Sequence, residues 1–151
     1  MTLSIGDKAP AFTSVDQNNA SVSLADFAGK KLVLYFYPKD DTPGCTTEAN
    51  TFKEHLQAFH DKGAVVVGVS KDTPDCHVKF IEKYGLPFTL LSDADGSMCE
   101  AYGTWTEKSM YGKKYMGIDR STFLIDEAGK LIKIWRSVKV PGHVEEVLGS
   151  L

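Results

Sequence analysis

The residues with most chemical promise lie in one run, Phe36-Tyr37-Pro38-Lys39-Asp40-Asp41-Thr42-Pro43-Gly44-Cys45-Thr46-Thr47-Glu48. A tight polar turn follows an apolar strand and delivers Cys45 to the start of a helix. Helix N-termini carry unpaired N–H groups and a partial positive charge. A thiol held there ionises more easily, and the thiolate is the nucleophile. Most free cysteines are simply buried small hydrophobes. The spacing of Pro38, Thr42 and Cys45 at a helix start argues instead for a reactive thiol.

Other candidates group around Cys45. Thr42 is the expected N-cap, and its hydroxyl can accept one hydrogen bond and donate another toward a thiolate or substrate oxygen. Pro38 rigidifies the turn and could shield the sulfur. A fixed cation would favour a thiolate, and the chain's arginines are Arg120 and Arg136. Arg120 directly precedes a strand whose start should lie beside the helix N-terminus. Arg136 follows the last strand and reads as a solvated or surface-paired charge. Arginine suits the role because it stays charged and presents a rigid fork of donors. Glu48, one turn into the helix, is placed to orient Arg120, although a first-turn glutamate is also favoured by the helix dipole alone.

Cys76 opens a second helix in Thr73-Pro74-Asp75-Cys76-His77 and is the internal candidate to pair with Cys45. Successive helices are expected on opposite sheet faces, which would separate these thiols beyond the roughly 7 Å reach of a disulfide. Cys99 reads as core. His55, His60, His77 and His143 show no metal-ligand spacing, and no glycine-rich phosphate loop is present.

The elements that must position these groups follow from periodicity. Cys45, Ala49, Phe52, Leu56 and Phe59 form one helical stripe over Cys45 to about His60, with Pro43 in the first helical position. Leu32–Tyr37 and Ala64–Ser70 read as buried strands. Thr73-Pro74 starts a helix ending near Tyr84-Gly85. A hairpin is expected over 11–24, around Asp16-Gln17-Asn18-Asn19. Residues 85–119 read as an irregular insertion: a short strand Phe88–Leu91, a turn, a short helix through Ala101 and a Gly/Lys/Tyr/Met-rich loop. Ser121–Ile125 and Leu131–Trp135 form a second hairpin, and His143–Leu151 a closing helix. The expected class is α/β, a thioredoxin-like fold with an N-terminal hairpin extension and a mid-chain insertion. One domain over 1–151 is expected.

Composition adds boundaries. The 151 residues are 42% hydrophobic and 25% charged, with a net charge of −3, so no nucleic-acid or anionic-membrane partner is expected. No apolar run is long enough to span a bilayer. Residues 1–7 lack a basic segment followed by an apolar stretch, so no secretory leader is expected. Three widely spaced cysteines do not form a disulfide framework, and a reducing cytoplasm is the expected compartment.

The motif around Cys45 resembles the peroxidatic motif of the peroxiredoxins, in the form of the bacterioferritin comigratory protein (peroxiredoxin Q) subfamily. The likeness continues through Gly6–Phe12, Lys83–Phe88, Leu91–Asp93 and Tyr111–Asp126. It implies a thiol peroxidase acting on hydrogen peroxide or alkyl hydroperoxides. Cys45 would become a sulfenic acid, Thr42 and Arg120 would bind the peroxide oxygens, and Pro38 would limit water. No cofactor or metal is implied. The expected reductant is thioredoxin, glutaredoxin or a small thiol, and the expected state a monomer or weak dimer.

The chain departs from the subfamily at the resolving cysteine. Asn50 fills one familiar position and Ile81 the other, which favours reduction by an external thiol, with Cys76 as the internal alternative. A non-catalytic thioredoxin-fold sensor or binding module is the competing reading. A thioredoxin-type oxidoreductase is disfavoured because Cys45-Thr46-Thr47-Glu48 lacks a second cysteine.

Overall fold

The computed structural model describes residues 3–151. Its centre is a seven-stranded mixed sheet. The strands are β1 (Thr13–Val15), β2 (Ser21–Ser23), β3 (Lys31–Phe36), β4 (Ala64–Ser70), β5 (Thr89–Ser92), β8 (Ser121–Ile125) and β9 (Leu131–Trp135), ordered β2-β1-β5-β4-β3-β8-β9. A separate hairpin pairs β6 (Trp105–Met110) with β7 (Lys113–Ile118). The helices are α1 (Pro43–Asp61), α2 (Pro74–Tyr84), α3 (Ser97–Ala101) and α4 (His143–Gly149).

Strands β3, β4 and β5 are parallel neighbours, while β8 and β9 add antiparallel pairs on the other side. The parallel strands are buried on both faces, so their sequences are continuous apolar runs rather than alternations. The expected N-terminal hairpin is present as β1–β2 and joins the sheet at Val15↔Ser92.

The helix placement corrects one expectation. Helices α1 and α2 lie on the same sheet face, not on opposite faces: Phe80 of α2 packs in one core with Cys45, Phe52 and Phe59 of α1. The order β3-β4-β5 explains it. Two right-handed crossovers advancing in one direction leave both helices on one side. Val144 and Val147 of α4 complete that layer. The opposite face is covered by α3 and the N-terminal segment, through Met98, Cys99, Tyr102 and Phe12.

The expected loop before Arg120 is a second correction, because it forms the β6–β7 hairpin. Tyr111 and Gly112 both have positive φ, 52° and 79°, as a two-residue hairpin turn with the sheet's own twist requires. Tyr111 is 99% exposed, and most other side chains of the hairpin also face solvent. Without a buried face the sequence has no period-two apolar pattern to read.

Candidate active site

Helix α1 begins at the carboxyl end of central strand β3. Thr42 has extended backbone (φ −92°, ψ 155°) and Pro43 follows in the first turn. Thr42 therefore occupies the cap position, but its side chain makes no capping hydrogen bond. Its Oγ1 instead donates to the Lys39 carbonyl at 2.9 Å, leaving its lone pairs free to accept. The helix stripe directs Cys45 inward, where it is 2% exposed.

Arg120, at the entry to β8, reaches across to this helix. Its Nη2 lies 3.3 Å from Cys45 Sγ and its Nη1 donates to Glu48 Oε1 at 2.7 Å. One guanidinium thus spans the thiol and a buried carboxylate. Gly44 makes the approach possible: a Cβ there would stand 3.2 Å from Arg120 Nη2. Burial works against the Arg120 charge, but Glu48 and Cys45 outweigh it and hold the guanidinium above its ordinary range. Glu48 is 0% exposed. Burial pushes its carboxyl up to about 7 against the pull of Arg120, and its Oε2 has no partner.

Cys45, Thr42, Glu48 and Arg120 therefore meet at one helix start. Pro38 is an exposed bend residue in the same turn. Cys76 is exposed in the first turn of α2, where its N–H donates to the Thr73 hydroxyl, and all three cysteines are free. Cys99 is core, its thiol pushed up to about 12 by burial and by Asp93. Of its two expected readings, Arg136 takes the surface-paired one: its Nη1 donates to the carbonyls of Tyr102 and Gly103 at 3.1 and 3.2 Å. No cluster of potential metal ligands is found among the described residues.

Sequence reasoning passed over several neighbours. Lys108 of β6 is half-buried; burial lowers its ammonium, while Asp119, Arg120 and Cys45 all lie near enough to act on it. Asp40 is buried and paired with His77, which is 0% exposed. The spacing of His77 with Phe80, Ile81 and Tyr84 places His77 on the inward stripe of α2, and that was the available sign.

An open cleft of about 440 Å³ borders Gly44, between the start of α1 and the segment Val140–Glu145.

The AhpC/TSA family matches residues 5–134. The chain belongs to that family. It is 52% identical over its full length to a protein named peroxiredoxin Bcp from Bacillus subtilis, covering 96% of that relative. It is also 52% identical to a putative peroxiredoxin bcp from Coxiella burnetii, with both chains fully covered. Among solved structures, a cysteine variant of PrxQ from Xylella fastidiosa superposes with a TM-score of 0.93 at 41% identity, covering 99% of this chain and 95% of the other. The bacterioferritin comigratory protein of Xanthomonas campestris, studied for alkyl peroxide reduction, gives a TM-score of 0.88 at 43% identity over 92% and 88%. The chain is accordingly a peroxiredoxin with a thioredoxin-like fold and the activity class of a thiol-dependent peroxidase.

Proposed function

We propose that Cys45 is the thiolate that reduces the peroxide. Its sulfur attacks the terminal oxygen of the hydroperoxide, an S–O bond forms, the O–O bond breaks, and the expelled hydroxide or alkoxide takes up a proton from solvent and departs as water or an alcohol. Cys45 becomes a sulfenic acid. The observation that carries this reading is the 3.3 Å approach of Arg120 Nη2 to Cys45 Sγ, with the opposite side of the guanidinium held by Glu48. Arg120 stabilises the thiolate before attack and the charge that develops on oxygen as the bond breaks. Thr42, its own proton committed to Lys39, accepts the hydrogen bond of the hydroperoxide O–H. Glu48 is a positioning residue for Arg120, and Pro38 limits water in the turn. The cleft beside Gly44, with Val140 and Pro141 on one wall, suits the alkyl part of an organic hydroperoxide.

The sulfenic acid is reduced by an external thiol: thioredoxin, glutaredoxin or a small thiol. Asn50 and Ile81 support this reading, since neither subfamily position offers an internal sulfur. Cys76 is the internal alternative. The chain acts as a monomer or weak dimer in the cytoplasm, a compartment that suits its free thiols. No helix among the described residues is long and apolar enough to cross a membrane.

Peroxide consumption with dithiothreitol as reductant tests the assignment. Cys45→Ser abolishes turnover and Cys99→Ser retains it; full activity in Cys45→Ser overturns the reading. Mass spectrometry after one equivalent of peroxide tests the resolving step. The expected product is a sulfenic acid on Cys45, whereas a Cys45–Cys76 disulfide replaces the external-thiol route with an internal one.

A further inference from the structure

One cation stands between two acids at the start of α1. The two terminal nitrogens of Arg120 are divided between Glu48 Oε1, at 2.7 Å, and Cys45 Sγ, at 3.3 Å. Both acids are shut away from water, Cys45 at 2% exposure and Glu48 at 0%. A thiolate and an ionised carboxylate together would set two anions against one guanidinium. Like charges this close in a poorly solvated place resist joint ionisation, and the strain is relieved when one of them keeps a proton.

The hydrogen bonds show which acid keeps it. An ionised carboxylate offers about four lone-pair sites and has no hydrogen to place. Glu48 Oε1 is met by Arg120, but Oε2 is buried without any partner. The protonated acid asks less of these surroundings: Oε1 still accepts from Arg120, and the hydrogen sits on Oε2. Burial outweighs the pull of Arg120 on this carboxyl, in the same sense.

The groups around the pair leave that balance in place. Arg120 is the only ion-pair partner of Glu48 among the described residues. From β3, the Tyr35 hydroxyl is also buried and unpartnered, and burial, Glu48 and Cys45 all keep it neutral. Asp40, in the turn before α1, is occupied by His77 and Tyr37. Lys108 of β6, which has Asp119 near it, and His143 of α4 feel the guanidinium from further away.

Peroxide attack changes the charge on the sulfur. The thiolate gives an electron pair to the peroxide, the O–O bond breaks, and Cys45 ends as a neutral sulfenic acid. The expelled oxygen takes one proton from solvent. No anion then competes with Glu48 for Arg120. We propose that Glu48 carries a proton while Cys45 is a thiolate and releases it when Cys45 is oxidised, so that Arg120 serves one anion at a time. The proton consumed by the leaving oxygen is thereby matched by one that Glu48 returns to solvent, and Glu48 takes a proton up again when a reductant frees the thiolate. Glu48 remains a positioning residue, since it acts on the sulfur through Arg120. The inference rests on assigning peroxide chemistry to Cys45, so one arm of its test uses no peroxide.

That arm is an infrared titration of the reduced protein. The carbonyl stretch of a protonated carboxylic acid is assigned to Glu48 by its loss in Glu48→Gln. Isotopic labelling of the glutamate carboxyls assigns it in the wild type should that variant not fold. With the thiolate removed in Cys45→Ser, the band disappears at a pH lower by about one unit than in the wild type, a roughly tenfold weaker hold on the proton. Cys99→Ser leaves the midpoint unchanged. The second arm counts protons with an indicator dye during one turnover with hydrogen peroxide in weak buffer. At about pH 7.5 the wild type takes up about half a proton fewer per chain than Glu48→Gln, and the two counts agree at about pH 5 and about pH 10. An unchanged midpoint in Cys45→Ser, or equal counts at about pH 7.5, overturns the exchange. A wild-type protein inert to peroxide would sink the catalytic reading, and the infrared arm would still decide whether the two acids share one charge.

Discussion

Arg120 holds a carboxylate with one nitrogen and a sulfur with another. Only a rigid planar fork does both, because a lysine ammonium is a point charge on a flexible stem. Arg120→Lys is therefore expected to keep the charge and lose the geometry, lowering kcat/KM for peroxide by about a hundredfold. Steady-state consumption measures it, and wild-type kcat/KM in that variant would remove Arg120 from the reaction. At this scale the local motif was readable: Thr42, Cys45 and Glu48 are neighbours in one turn and a half of chain. Arg120 was also found, because the scarcity of arginine left few candidates and fold topology chose between them. The Asp40–His77 pair was not found. Its members are 37 residues apart: the inward stripe of α2 marks His77 as buried, but nothing in the spacing ties it to Asp40.

The strands and long helices were legible because each buries a face. α1 shows the 3.6-residue stripe, and β3 and β4 show continuous apolar runs between turns. The β6–β7 hairpin was invisible because most of its side chains face solvent and the buried ones, at its base, make no alternating pattern, leaving only the Tyr111-Gly112 turn as a sign. The face occupied by α2 depends on strand order, which no local pattern contains. Gly68 is an element-level constraint of the same kind. A Cβ at this β4 position would stand 2.8 Å from Leu90 Cδ2 and 2.9 Å from Tyr35 Cζ. Tyr35 cannot easily give way, since its ring is stacked on Phe52 at 4.6 Å. Gly68→Ala should therefore destabilise the protein by about 1–3 kcal/mol. Urea denaturation reads this directly, and stability equal to wild type would show that the ring layer has slack.

Across the whole molecule, two buried groups make stability depend on pH in opposite senses. His143, whose Nε2 lies 2.8 Å from the Thr122 hydroxyl, is lowered by burial from 6.5 to about 4. Between those values the unfolded chain binds a proton that the folded protein does not, so stability rises with pH and is lost as pH falls through 4. Glu48 is raised by burial from 4.5 to about 7. Between those values the folded protein holds the proton, so stability falls as pH rises through 7. The contributions oppose each other between about pH 4.5 and 6.5. His143→Gln should therefore show Tm falling with pH across that window, and Glu48→Gln should show it rising. Parallel Tm curves for wild type and both variants would mean that neither group is coupled to folding.

The cysteines give the molecule three internal clocks. Cys76 is open to solvent, Cys45 is on the inward side of the first turn of α1, and Cys99 is sealed in the core on the inward side of α3. A maleimide added to the reduced protein should modify Cys76 at a rate set by encounter, Cys45 at a rate set by local opening, and Cys99 only as fast as the whole fold comes apart. One labelling experiment, resolved by peptide mass, thus times three depths of unfolding in the same sample, with the outer and inner thiols calibrating the one between them.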